Sequence, residues 1–210
     1  MTRLTSKSLG AAAAALICAA VVGCDPSSPD AGISAPSATS SASSKQAAPT
    51  TTTGTADPAA DYSRLLLTAA DISDEEDTFT VQSTNPGPAG LPGASALFVN
   101  QDDTRAISDT IVIYPDAETA SRTLRDALPS IGSVVKGASP RPAPVGTDGT
   151  LAVGTSPDDS TAATLLLFTQ GPALVRLEFQ SALGDATTDQ FVITIGKMQE
   201  IALRTGLPSP

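Results

Sequence analysis

Four consecutive apolar residues, Leu165-Leu-Leu-Phe168, sit inside Thr161–Thr169 and restrict the fold more than any other stretch. Side chains alternate between the two faces of a strand, so an apolar run of this kind is buried on both faces and belongs at the centre of a covered sheet. The next segment, Ala173–Gln180, alternates strictly: Val175, Leu177 and Phe179 point inward, Arg176 and Glu178 outward. Gln170-Gly-Pro172 separates the two as a tight connection, so they form an antiparallel hairpin. This hairpin is the predicted heart of the domain.

The rest of the chain is read around it. Tyr62–Leu67 enters the domain as a short helix or an extended segment. Asp77–Ser83 alternates, with Phe79 and Val81 on one side, and Asn85–Gly93 is a loop rich in Pro and Gly. Ala94–Val99 and Arg105–Tyr114 read as strands around the turn Asn100-Gln-Asp-Asp103. Asp116 caps a helix with Ala117, Ala120, Leu124, Ala127 and Leu128 on one stripe and a Glu118–Arg122 pair on its surface. Ser139–Pro144 is a stiff loop and Asp148-Gly149 a turn signal. The last helix carries Phe191, Ile195, Met198 and Ala202 as its stripe, pairs Glu200 with Arg204, and stops at Gly206 and Pro208. The order strands, helix, strands, helix predicts an α+β domain over 62–210: an antiparallel sheet with two main helices packed on it in two layers.

Composition removes several chemistries. The 210 residues contain no His and no Trp, and only two Cys, Cys18 and Cys24. Ser-His-Asp and Cys-His catalysis, His/Cys zinc sites and haem or iron–sulfur ligation are therefore excluded. We expect no cofactor, no metal and no catalytic residue. The formal net charge is −10, from 12 basic and 22 acidic side chains. That balance argues against nucleic acid, whose phosphates need clustered Lys and Arg.

The N-terminus carries an address. Arg3 and Lys7 precede an apolar run from Leu9 to Ala20, the length of a signal-peptide core and too short to span a bilayer. Val21-Val22-Gly23-Cys24 follows and looks like a bacterial lipobox. The resemblance implies cleavage between Gly23 and Cys24, a diacylglyceryl group on the Cys24 thiol, and a further acyl chain such as palmitate on its amine. Two or more chains give stable attachment, at about 0.8 kcal/mol per buried CH₂. Residues 1–23 are thus expected to be a lipoprotein signal peptide. With Cys18 discarded and Cys24 lipidated, the mature chain can form no internal disulfide. Loss of Arg3 and Lys7 leaves 10 basic against 22 acidic side chains, a formal charge of −12. Attachment to the membrane then rests on acyl chains and not on a basic patch.

Residues 24–61 are dominated by Ser, Ala, Thr and Pro. Such a composition buries too little apolar surface to offset its ordering entropy and predicts a disordered tether with a reach of roughly 35 Å.

Three candidate sites arise in the domain. Ser133-Val-Val-Lys136 matches the S-x-x-K nucleophile motif, in which Lys accepts the Ser proton one helical turn away. The companion S-D-N and K-T-G motifs are missing, so a chance match is the more economical reading. Asp71-Ile-Ser-Asp-Glu-Glu-Asp77 spaces oxygen ligands as a calcium loop does, but lacks the glycine at position six and has Gln82 at position twelve. It reads instead as a solvated loop or helix-start acids, and Asp158-Asp159 as a polar turn. The apolar set Leu165–Phe168, Phe179, Phe191, Ile195 and Met198 is either core or the lining of a lipid cavity, and a domain of this size needs it as core.

The combination of lipobox, Thr/Ser/Pro tether and a domain of this size resembles the Lpp/Lpq cell-envelope lipoproteins of mycobacteria and related actinobacteria. Tyr114-Pro-Asp-Ala-Glu-Thr-Ala120 is similar to a strand-to-helix segment of those proteins and of mycobacterial extracytoplasmic sensor domains. Phe191-Val, Gly196-Lys-Met-Gln-Glu and Gly206-Leu-Pro208 carry the same flavour. The element order resembles the Mog1/PsbP-like fold of the LpqN type. The resemblance implies a protein held at the extracytoplasmic face of the cell membrane. Together these readings predict a non-enzymatic envelope lipoprotein that binds a protein or lipid partner. The alternatives are an envelope lipid or glycolipid carrier, or a small hydrolase.

Overall fold

The computed structural model describes residues 61–208. Val21, Val22, Gly23 and Cys24, the signal peptide and nearly all of the expected tether lie outside the described residues. The domain begins with a single 3-10 turn at Ser63–Leu65 and a short helix, α1 (Ala69–Ile72). Three strands follow, β1 (Phe79–Pro86), β2 (Gly93–Asn100) and β3 (Ala106–Ile113), then helix α2 (Ala117–Ala127) running into a 3-10 segment to Ser133. Four more strands, β4 (Arg141–Pro142), β5 (Thr147–Thr155), β6 (Ala162–Gln170) and β7 (Ala173–Ser181), precede helix α3 (Asp189–Gly206). All seven strands form one antiparallel sheet in the order β1-β2-β3-β7-β6-β5-β4. Two meanders, β1 to β3 and β4 to β7, thus meet where β3 pairs with β7. No described helix is long and apolar enough to cross a membrane.

The central run behaves as its sequence demands. Leu165, Leu166, Leu167 and Phe168 are all buried, and β6 lies between β5 and β7. Leu166 and Phe168 pack with Val175, Leu177 and Phe179 of β7 and with Val192, Ile195 and Leu203 of α3. Leu165 and Leu167 face the other way, toward Leu124 of α2, Ile131 and Val135. The two main helices therefore occupy opposite faces of the sheet. The α+β reading with helices packed on an antiparallel sheet stands, but its layering is finer than expected. Over β6 the sheet is covered on both sides. Over β1–β3 the α2-side face, with Ser95, Leu97, Ser108 and Thr110, is only half-covered or exposed. A strand apolar on both faces requires two covers, and α2 and α3 supply one each.

Several local expectations change. Strand β5 was not expected, because Asp148-Gly149 reads as a turn; here it makes a bulge inside the strand, with Asp148 at φ 56° and the register shifting between Thr147 and Thr150. A Cβ on Gly149 would come within 2.4 Å of the Val145 carbonyl oxygen, so the glycine marks a close backbone approach. Arg141–Pro142, expected to be loop, pairs briefly with β5. Val81, expected to share the buried side with Phe79, is 49% exposed, because a bulge between Val81 and Ser83 distorts β1 at the sheet edge. In α2 only Ala120 and Leu124 of the expected stripe are fully buried. Its cap and its Glu118–Arg122 pair form as expected: Asp116 accepts from the Thr119 N–H at 2.7 Å, and the pair stands at 3.8 Å. The stripe of α3 is rotated, with Val192, Ile195, Gly196, Gln199 and Leu203 buried. Glu200, expected to pair with Arg204, accepts the Gly146 N–H at 3.1 Å.

Candidate functional site

The segment from Tyr62 to Leu67 lies in the core without belonging to the sheet, so its backbone groups need side-chain partners. Two buried polar residues provide them. Gln199 of α3 donates from Nε2 to the Leu65 carbonyl at 2.7 Å. Asp109 of β3 accepts the Leu67 N–H at 3.3 Å. Both side chains are fully buried, and each keeps one oxygen without a partner, Asp109 Oδ1 and Gln199 Oε1. Burial pushes the Asp109 carboxyl up to about 7, and the Leu67 N–H opposes this only in part. This pair fastens the start of the domain to both the sheet and α3. It is structural in geometry, because nothing reaches it from solvent.

The accessible site lies at the end of the same face, where β1 starts, β3 starts and β7 ends. A half-open cleft of about 160 Å³ separates the loop before β1 from the loop before α3. Its floor is apolar: Phe79, Ile107 and Phe179 are buried, and Phe191 from the first turn of α3 closes the side. Phe179 and Phe191 meet edge to face with centroids 6.2 Å apart. The lips are polar, formed by Asp74, Glu76 and Asp77 on one side and Asp185 to Thr188 on the other.

Arg105 joins these lips. Its Nε lies 3.0 Å from Asp77, and its Nη2 donates to Asp185 at 2.5 Å. Asn100 holds this bridge in place. It is nearly fully buried, its Oδ1 accepts the N–H groups of Thr104 and Arg105 at 2.9 Å each, and its Nδ2 donates to Asp77 at 2.7 Å. Ser181 ties the second lip by donating to the Asp185 carbonyl at 2.6 Å. Thr188 caps α3 by accepting the Phe191 N–H at 3.3 Å, which sets the aromatic wall. The cleft is therefore preformed. At its mouth four carboxylates face one guanidinium, a formal balance of −3.

The sequence-level candidates are placed elsewhere or dispersed. Ser133 donates to the Ser130 carbonyl at 2.6 Å, while Lys136 is ion-paired with Asp159, so the Ser-Lys motif forms no mutual contact of the kind a nucleophile needs. Lys136 and the Thr155 hydroxyl hold the Asp159 carboxyl below its ordinary range. Asp158 is drawn down to about 2 by hydroxyl donors on Ser156 and Ser160 and by the Ser160 N–H, as befits a polar turn.

The acidic run is partly what it was expected to be. Asp71 accepts both the N–H and hydroxyl of Thr68 at the start of α1, and Asp74 accepts the N–H groups of Glu76 and Asp77. Among the described residues no three acidic groups converge to hold a metal ion. What the sequence did not reveal is that the end of this run forms a lip of the cleft. Of the apolar set, Leu165–Phe168 and Ile195 are core, whereas Phe179 and Phe191 also line the cleft. Arg105, Phe79, Ile107 and Asp185 escaped sequence reasoning. They are brought together by the successive β1–β2, β2–β3 and β3–β7 pairings, and no spacing signal connects them.

No family model matches this chain, and no curated protein matches it by sequence. Among solved structures, the extracellular domain of PknH from Mycobacterium tuberculosis is similar, with a TM-score of 0.50 and 10% identity. The match covers 71% of this chain and 99% of that one. The likeness is one of fold: an α+β domain of the kind found in that extracellular domain.

Proposed function

We propose that this chain is an exported lipoprotein, held at the outer face of the cell membrane by acyl chains on Cys24, whose domain binds a partner without performing catalysis. The preformed cleft at Arg105 carries the reading. The floor of the cleft is nearly closed core, and the half-buried Phe191 leaves aromatic surface beside a fixed ion-pair bridge. A recess in which a few convergent polar groups meet an aromatic wall is a natural binding site. The fold shared with a bacterial extracellular domain supports an extracytoplasmic location, as does the Val21-Val22-Gly23-Cys24 motif. The cleft is about half the ~300 Å³ lower bound of small-molecule pockets, which favours a guest the size of one side chain over an acyl chain.

Two measurements test the two parts. Cys24→Ala should move the protein from the membrane to the soluble fraction; retention on the membrane removes the anchoring reading. A photo-crosslinking amino acid at the exposed position Ala186, on the cleft lip, should trap a partner in the intact envelope. The same group at Ser130, beyond the end of α2, should not. Equal trapping at both positions, or none at Ala186, refutes the site.

A further inference from the structure

We infer that the cleft receives a Lys or Arg side chain from a partner polypeptide, aliphatic stem against the Phe191 wall and cationic head among the lip carboxylates. This rests on the reading of the cleft as a binding site and specifies its guest.

The shape sets the first limit. A cavity of about 160 Å³ is close in size to the ~150 Å³ apolar cavity that accommodates benzene, so one side chain fills it. The chemistry sets the second. The half-buried Phe191 offers an aromatic wall above the nearly closed Phe79, Ile107 and Phe179, while Asp74, Glu76, Asp77 and Asp185 stand at the mouth. Lys and Arg match that gradient, since their methylene stems bury while their charged heads stay near water. A guanidinium also gains from aromatic faces.

Charge sets the third. Arg105 neutralises one of four carboxylates and is itself occupied by Asp77 and Asp185, so an anion entering the mouth meets a surplus of negative charge and no uncommitted cation among the lining residues. Glu76 is exposed and available to a guest. The source follows from size. One buried side chain supports only weak affinity by itself, so useful binding requires that the guest continue as a chain over the surrounding surface.

The experiment uses the full chain, ¹⁵N-labelled and kept soluble in non-ionic detergent, titrated with three blocked amino acids: N-acetyl-arginine methylamide, N-acetyl-norleucine methylamide and N-acetyl-glutamate methylamide. The arginine probe should shift the amide signals of Ala106, Ile107, Ala186 and Thr187 saturably, with a Kd on the order of millimolar. The norleucine probe should bind several-fold more weakly and the glutamate probe not at all. Raising NaCl from about 20 to about 300 mM should weaken the arginine probe and leave norleucine unchanged. Glu76→Gln should weaken the arginine probe by about 1.4- to 5-fold, the range for an exposed ion pair, without changing norleucine. If norleucine binds as tightly as arginine, or glutamate binds best, the basic guest is wrong while the cleft remains a binding site. If no probe moves these four signals, or the shifts scatter over other acidic surface, the cleft reading falls with it.

Discussion

Replacing Asp109 by Asn tests the account of the buried carboxyl directly. In the folded chain burial raises this group to about 7, against an ordinary value of 3.8. The neutral acid is the form the core prefers. Its contribution to stability is therefore fully present below about pH 3.8 and is lost progressively as pH rises toward 7, above which the loss is constant. At about 1.4 kcal/mol per pH unit, the gap between 3.8 and about 7 corresponds to about 4 kcal/mol. No charged side chain shares in the shift: desolvation raises it and the Leu67 N–H lowers it.

Asn keeps the shape and an oxygen to accept that N–H, but never ionises. Urea unfolding of the two proteins between pH 4 and pH 8 provides the assay. Other carboxylates titrate near pH 4 in both proteins, so the quantity to follow is the difference in unfolding free energy. That difference should be small at pH 4 and should grow in favour of Asn by up to about 4 kcal/mol by pH 8. A difference that stays flat with pH, or a variant less stable than the parent at pH 8, refutes the reasoning.

Two further substitutions probe the packing between α3 and the sheet. Gly196→Ala should destabilise the domain by about 1–3 kcal/mol in thermal or urea unfolding, although alanine is the better helix former by about 1 kcal/mol. The added Cβ would lie 2.5 Å from Leu166 Cδ2 and 3.1 Å from Val145 Cγ1, so a stabilised variant would show that α3 does not press against β6 as described. Leu166→Ala should cost about 2–5 kcal/mol because the side chain is fully buried, whereas Leu183→Ala, at a position 56% exposed, should change stability by less than about 0.5 kcal/mol.

The sequence by itself determined the elements whose periodicity is set by burial. Leu165–Phe168 had to be a central strand, Ala173–Gln180 its one-sided partner, and Asp116 the start of a helix, because each signal is local and each has one physical solution. The absence of His limited the chemistry in the same way, since no fold can supply a missing functional group.

Tertiary structure decided what local patterns leave open. Nothing in the order of elements tells which face of the sheet each helix covers, so the placement of α2 and α3 on opposite faces emerges only from packing. Gln199 sits on the buried stripe of α3 because the Leu65 carbonyl, far away in sequence, needs a donor. A polarity pattern alone turns that residue to solvent, which is why the expected stripe was rotated. β5 was hidden by Asp148-Gly149, a pair that means a turn in isolation and a bulge when a neighbouring strand supplies hydrogen bonds on either side. The cleft belongs wholly to this second class. Phe79, Arg105, Phe179 and Asp185 become neighbours through long-range strand pairing, and the charge and shape that make it a site exist only after the two meanders have joined.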